Sequence, residues 1–211
     1  MSPSTSLKLE PLTLEDNAAL TNLWFAAFTA PELQMVFPNT PGVRQWLQDA
    51  NKHDLVNKPF QKYIKIVDME NKDENGRPRI AAYAKWDLST PEERGRRYPP
   101  WHEEMPGEMC EAFFLKEEYN RSRVMGDRKH YYLDTVATHP DYQRRGCGSM
   151  LVKWGCDLAD AEGVSAYVDA SKDGAPLYAK HGFVDYSNPG EEIASMARFC
   201  KTASSEHLVD R

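Results

Sequence analysis

Six consecutive residues, Gln143-Arg144-Arg145-Gly146-Cys147-Gly148, put two arginines and two glycines where a strand-like stretch gives way to a helix-like one. At such a junction the first backbone N–H groups of the helix lack carbonyl partners, and they point together at whatever lies in front of them. Gly146 and Gly148 keep side chains out of that space, while the helix dipole, Arg144 and Arg145 add positive potential. The chemistry this supports is capture of a diphosphate. A nucleoside-triphosphate loop would need a lysine between its last glycine and the serine or threonine, and here Ser149 follows Gly148 directly. A dinucleotide-binding fold would carry its glycine turn near the first strand of a β-α-β series. This turn instead comes after two thirds of the chain, in a single such unit.

The elements that must hold the turn are legible on both sides. Residues 131–138 are aromatic and β-branched and predict a strand, Gly148 to Ala161 has the spacing of an amphipathic helix, and Val164 to Val168 predicts the next strand. Strand, helix, strand in that order needs a crossover and implies two parallel neighbours. Upstream, residues 7–10 predict a short strand and Thr13-Leu14-Glu15-Asp16 a capped helix start, with Leu20, Leu23, Trp24 and Phe28 on one face. Pro31, Pro38 and Pro41 are expected to break the following segment before a helix over Val43 to Leu55. Residues 63–67 and 80–86 predict an antiparallel hairpin around a polar turn over 71–78. Residues 88–129 are rich in proline and charge, with a helical pattern over 108–125, and read as an insertion into one domain spanning 1–211. A short helix over 175–181, a strand over 183–186, a last strand over 195–201 and a loose tail over 202–211 complete the chain.

These residues resemble the GNAT superfamily of N-acetyltransferases. The resemblance rests on the Gln143-Arg144-Arg145-Gly146-Cys147-Gly148 signature and on Leu177-Tyr178-Ala179-Lys180-His181-Gly182-Phe183, which is similar to a second family segment at the usual distance. It spans Tyr131 to Tyr186, with a weaker similarity to small-molecule enzymes of the puromycin-acetyltransferase type. The fold it implies is α/β (α+β): a twisted, mixed, mostly antiparallel sheet of about six or seven strands, with helices on both faces and one parallel β-α-β unit. It further implies acetyl-CoA as cosubstrate, with amides of residues 143–149 on the diphosphate and the main chain of Val136, Ala137 and Thr138 along the pantetheine arm. Ser171, shortly after the following strand, joins that contact set. The acetyl group would pass directly to a primary amine, without a covalent enzyme intermediate.

An alkylammonium arrives protonated, since its pKa lies near 10.4, so the reaction needs a proton acceptor and, for the departing thiolate, an acid. By resemblance Tyr178 is the acid; a core tyrosine packed beside Phe183 is the structural alternative. Asp134, mid-strand and expected to share a face with Tyr132 and Val136, is the leading candidate for the base, with burial raising its pKa. A structural aspartate bonded to neighbouring backbone fits the position as well, and Glu108, Glu111 and His130 are possible substitutes. His139-Pro140-Asp141 is expected only to end the strand, Cys147 to matter for its size, and His181 to cap a helix before Gly182.

Composition bounds the rest. A formal charge of -6, with 41% hydrophobic and 27% charged residues, describes a folded chain and opposes nucleic-acid binding. No apolar run reaches the roughly 18 residues of a membrane helix, and the start of the chain lacks a secretory pattern, so a cytoplasmic enzyme with no membrane partner is expected. Cys110, Cys147, Cys156 and Cys200 lie apart, which predicts free thiols and no metal site. Aromatic residues in the early helices and in 88–129 could line an acceptor pocket. The leading expectation is a monomeric or homodimeric enzyme acting on a small-molecule amine. A protein lysine or N-terminal acetyltransferase and a non-catalytic acetyl-CoA sensor are the alternatives.

Overall fold

The computed structural model describes residues 6–200, so the expectations for the first residues, for Lys201 and for the tail lie outside the described part. Its frame is a seven-stranded sheet in the order β1-β2-β3-β4-β5-β7-β6. The strands are β1 (Leu7–Pro11), β2 (Gln61–Lys72), β3 (Pro78–Asp87), β4 (His130–Thr138), β5 (Ser165–Ser171), β6 (Val184–Asp185) and β7 (Ile193–Arg198). The helices are α1 (Asn17–Ala27), α2 (Pro31–Val36), α3 (Pro41–Asn57), α4 (Pro91–Arg94), α5 (Gly107–Met125), α6 (Cys147–Glu162) and α7 (Ala175–Ala179). Among the described residues only β4 and β5 pair in parallel; the other neighbours are antiparallel. The mixed sheet and the β-α-β unit expected from the sequence are both present.

Several boundaries differ from the sequence reading, for physical reasons. Pro31 and Pro41 do not break helices but open α2 and α3 at their first turns, where a missing N–H costs nothing. Thr40 caps α3 by accepting a hydrogen bond from the Val43 amide at 3.3 Å. The first hairpin is tighter than expected, because β2 runs on through Asn71 and Lys72 and the turn is fixed by Asp73, which accepts from the Asn75 and Arg77 amides. Phe28 lies just past the end of α1.

Two features of β4 matter most. It pairs with β5 only from His130↔Ser165 to Leu133↔Val168, after which β4 follows β3 and β5 follows β7, and the parallel strands part. Against β3, Lys85 faces Thr135 and Trp86 faces Leu133, which leaves Asp134 as an extra, bulged residue. The bulge reverses the alternation: Val136 packs with the cluster under α6, whereas Ala137 joins the opposite cluster. The expected shared face of Tyr132, Asp134 and Val136 is therefore corrected, since period-two alternation does not survive an inserted residue.

The sheet is covered on both sides. Leu151 and Val152 of α6 join Trp86, Leu133 and Val168 of the sheet in one cluster, all fully or nearly fully buried. Gly155 of α6 makes this packing possible, because a Cβ there would stand 2.2 Å from the Trp86 ring. Against α1 and α3 lies an aromatic cluster that includes Trp24, Phe37, Trp46 and Tyr98. A smaller cluster of Met125, Tyr132, Tyr167 and Ala197 sits between α5 and the sheet. Among the described residues no helix is long and apolar enough to cross a membrane.

Candidate active site

The glycine turn leaves β4 through a short 3-10 turn, Pro140–Tyr142, and enters α6 at Gly146, which has φ 90°. Arg144 precedes it at φ 61°, the one non-glycine residue with positive φ among those described. A side chain held in the left-handed region costs on the order of 1–2 kcal/mol and persists only where the surroundings impose it. What this backbone path produces is a row of free donors. The first α6 amide to reach a carbonyl is that of Met150, which donates to Gly146 at 3.0 Å. Among the described residues, the amides from Arg144 through Ser149 meet no backbone carbonyl. A Cβ on Gly146 would meet nothing within 4 Å, so open space adjoins the turn at that residue. Unpaired amides at a helix start suit an anion such as a diphosphate by charge.

Some of the predicted contact residues stand close to this turn. A Cβ on Gly148 would lie 3.1 Å from Leu177 of α7 and 3.9 Å from the Thr138 hydroxyl, so the end of β4, the start of α6 and α7 close together there. Ser149 Oγ meets His181 Nε2 at 2.8 Å, which ties α6 to the turn after α7. His181 thus links the turn after α7 to α6 through its ring, while the C-cap position of α7 falls to Lys180, and burial, with Lys153 and Arg198 nearby, holds the histidine pKa below the ordinary value. Cys147 is buried, and burial pushes its thiol pKa up, as for a packing residue. Arg145 turns back over the Tyr142 ring at 4.7 Å, with Asp68 3.8 Å away. Gln143 and Arg144 are exposed.

Tyr178 is buried in α7 against Phe183, with ring centroids 6.0 Å apart. Its ring also borders the end of β5, since a Cβ on Gly174 would meet both Ser171 Oγ and Tyr178 Cε2 within 3.4 Å. Ser171 Oγ itself accepts from the Gly174 amide at 3.1 Å. Burial alone pushes the Tyr178 phenol up to about 12, so it stays protonated at neutral pH. No hydrogen bond from it to another described residue is formed.

On the side of the sheet facing α3 and α5 the arrangement is ionic. Asp134 Oδ2 lies 3.0 Å from Arg97 Nε and 3.5 Å from Lys85 Nζ, and Arg97 Nη2 also donates to the Asp134 carbonyl at 2.8 Å. Lys85 continues to Asp54 of α3 at 2.6 Å, and Arg97 to Glu117 of α5 at 2.7 Å. The Asp134 side chain is 2% exposed. Burial pushes its carboxyl upward, but Arg97 and Lys85, helped by the Thr135 hydroxyl, outweigh it and hold the pKa at about 2. The raised pKa expected for Asp134 is thus corrected: two cations exceed the desolvation. Nor is its partner a neighbouring backbone amide, as a structural aspartate was expected to have.

The substitutes fare differently. His130 is buried and neutral, its Nδ1 donating to the Arg128 carbonyl at 2.7 Å and its Nε2 accepting from Arg94 at 2.6 Å, with burial and Arg94 lowering its pKa to about 3. Glu111 is taken up by Arg96 and by the Trp101 indole. Glu108 is exposed. The sequence reading missed Glu117 and Asp169. Asp169 lies one residue beyond the predicted end of β5, where the two parallel strands part, and accepts from Tyr132 at 3.1 Å and Tyr167 at 2.8 Å. Strand alternation from Tyr167 would bring it out with the strand carried one residue further.

A cavity of about 250 Å³ opens beside this network, walled by Arg97, Tyr98, Trp101, Phe114, Tyr132 and Asp134, among others. Its aromatic wall is already engaged: the Arg97 guanidinium sits 4.9 to 5.6 Å from the rings of Phe114, Tyr98 and Tyr132.

Residues 83–183 match the sequence model of the Acetyltransferase (GNAT) family. Among curated proteins no sequence is significantly similar. In fold the chain is similar to arylalkylamine N-acetyltransferase 2 from Aedes aegypti, with TM-score 0.62 and 14% identity over 93% of this chain and 100% of that one. It is also similar to the histone acetyltransferase HPA2 and related acetyltransferase from Corynebacterium glutamicum, with TM-score 0.57 and 22% identity over 93% and 97%. A third likeness is to NAA60 from Arabidopsis thaliana, a structure in complex with acetyl-CoA, with TM-score 0.53 and 14% identity over 90% and 96%. At such identities the likeness is one of fold.

Proposed function

Because this chain belongs to the GNAT acetyltransferase family and is an acyltransferase, we propose that it transfers the acetyl group of acetyl-CoA to a primary amine of a small molecule. The observation that carries the cosubstrate is the run of free amides from Arg144 to Ser149 beside open space at Gly146. Held there by its diphosphate, acetyl-CoA extends its arm along Val136, Ala137 and Thr138 and brings its thioester to the parting of β4 and β5. The small acceptor is supported by the cavity beside Tyr132 and Asp134, which is lined by α5 and by the segment containing Arg97 to Trp101. About 250 Å³ suits a compact amine better than a peptide.

The reaction then runs in a ternary complex. The free amine attacks the thioester carbonyl, a C–N bond forms, an N–H proton leaves, and the C–S bond breaks. Tyr178, a protonated phenol without a partner among the described residues, donates its proton to the departing thiolate and regains one from solvent. Asp134 acts as a fixed charge: at a pKa of about 2 it is too weak a base for this amine, but it sets Arg97 and Lys85 around the bulge. Most of the rate gain comes from holding amine and thioester in line.

Calorimetry with acetyl-CoA and a thiol-release screen over small amines and lysine or N-terminal peptides test this. Turnover confined to small amines is the expected result. Turnover on peptides alone would move the reading to a protein acetyltransferase, and binding without turnover on any acceptor to a sensor.

A further inference from the structure

At the point where the parallel strands separate, two aspartates stand in successive register positions on facing strands. Leu133↔Val168 is the last pair, and Asp134 and Asp169 follow it. Their surroundings are opposite. Asp134 is gripped by Arg97 and Lys85. Asp169 has no cation at ion-pair distance among the described residues, and its two oxygens instead accept one phenol each, from Tyr132 and Tyr167. Resting on the acyl-transfer reading above, we propose that Asp169 is the group that takes the proton from the attacking amine.

Three observations carry this. Asp169 lies just past the last parallel pair, where β4 and β5 part, and the tyrosine that donates to it, Tyr132, is one of the cavity's lining residues. A carboxylate whose oxygens are each fixed by one neutral donor keeps a lone pair on both for an incoming N–H. The charged and titratable groups around it leave its pKa above the ordinary carboxylate range. Burial raises its pKa, against the pull of the Tyr167 phenol, of Arg97 from the segment after α4, of Arg121 from α5 and of the Tyr132 phenol. Glu117 of α5 faces the same region and is likewise raised by burial, with Arg97 opposing. Two facing carboxylates whose environments drive their pKa values apart divide the labour: Asp134 stays ionised as a fixed charge, and Asp169 exchanges protons near working pH. In the step itself the nitrogen lone pair forms the C–N bond, the N–H electrons stay on nitrogen, and the proton goes to an Asp169 oxygen. That proton is later lost to solvent, while Tyr178 separately supplies the thiolate.

The test is the pH profile of kcat/KM for the full-length protein with acetyl-CoA and a reactive amine from the screen, paired with calorimetry for acetyl-CoA. Wild type should lose activity as pH falls, along a limb lying above the ordinary carboxylate range of about 4. Asp169→Asn should lower kcat/KM by about 100-fold and abolish that limb, with acetyl-CoA affinity unchanged. Tyr132→Phe removes one phenol donor and should move the limb to higher pH by on the order of one unit, and it decides the matter if Asp169→Asn does not fold. An active wild type whose limb stays unmoved in the folded variants overturns the assignment alone. A wild type that binds no acetyl-CoA and releases no thiol overturns the transfer reading, and this assignment with it.

Discussion

The cradle at residues 144–149 and the ionic ladder running Asp54–Lys85–Asp134–Arg97–Glu117 both hang on β4, yet they satisfy their polar groups in opposite ways. In the cradle the donors are main-chain amides, and they are left unpaired beside open space. In the ladder the groups are side chains from α3, β3, β4, α5 and the segment after α4, and each finds a partner inside the protein. Unpaired donors are tolerable where a ligand or water can reach them; buried charges are tolerable only when matched. The cradle is thus poised to bind, whereas the ladder is poised to stay as it is. The difference teaches where to look for chemistry: at the seam between the two, where β4 and β5 part and one carboxylate, Asp169, is held among the described residues by neutral donors alone.

The ladder should break hardest. Asp134→Ala leaves Lys85 and Arg97 facing an empty buried position, and loss of one partner from a buried pair costs about 3–5 kcal/mol. Urea unfolding at pH 7 measures this directly. The same pair gives a pH signature. With a folded pKa of about 2 against about 3.9 when unfolded, the Asp134 contribution is complete above pH 4 and is lost as pH falls toward 2. The stability gap between wild type and Asp134→Ala should therefore narrow over that interval. A gap that is small at pH 7, or constant with pH, would show that the ladder is not what secures the bulge.

Tyr178→Phe should come next, and it separates chemistry from scaffold. The phenol has no hydrogen bond to another described residue, so its removal should leave stability almost unchanged while lowering kcat by about 100-fold, or roughly 2.7 kcal/mol of barrier. A variant that turns over like wild type would reduce Tyr178 to a packing partner of Phe183.

The same contrast explains what the sequence could disclose. The cradle is written in contiguous residues, because a turn and a helix start are local objects, so Gln143 through Gly148 could be read directly. Tyr178 came with its own short segment. The ladder joins residues that are up to 80 positions apart in the chain, Asp54 to Asp134, and no local pattern links them. The Asp134 bulge carries no glycine to announce it, so alternation was carried straight through it and Val136 was assigned to the wrong face. Strand β5 was ended at Val168, which hid Asp169. The element order was legible, since hydrophobic period and turn residues encode it; Pro31 was misread because proline opens helices as readily as it ends them.

Two glycines in α6 and at its start give the smallest and cleanest contrast. Gly155→Ala drives a Cβ to 2.2 Å from the Trp86 ring, so the helix must shift and stability should fall by about 1–3 kcal/mol, while acetyl-CoA affinity holds. Gly146→Ala meets no atom within 4 Å, so its cost in the free protein is the left-handed backbone alone, about 1–2 kcal/mol. The open space adjoins the cradle, and a methyl group there should weaken acetyl-CoA binding about tenfold, or about 1.4 kcal/mol. Calorimetry and thermal unfolding on both variants would resolve the two effects. If Gly146→Ala bound acetyl-CoA as wild type does, the free amides in front of it would not be where the diphosphate sits.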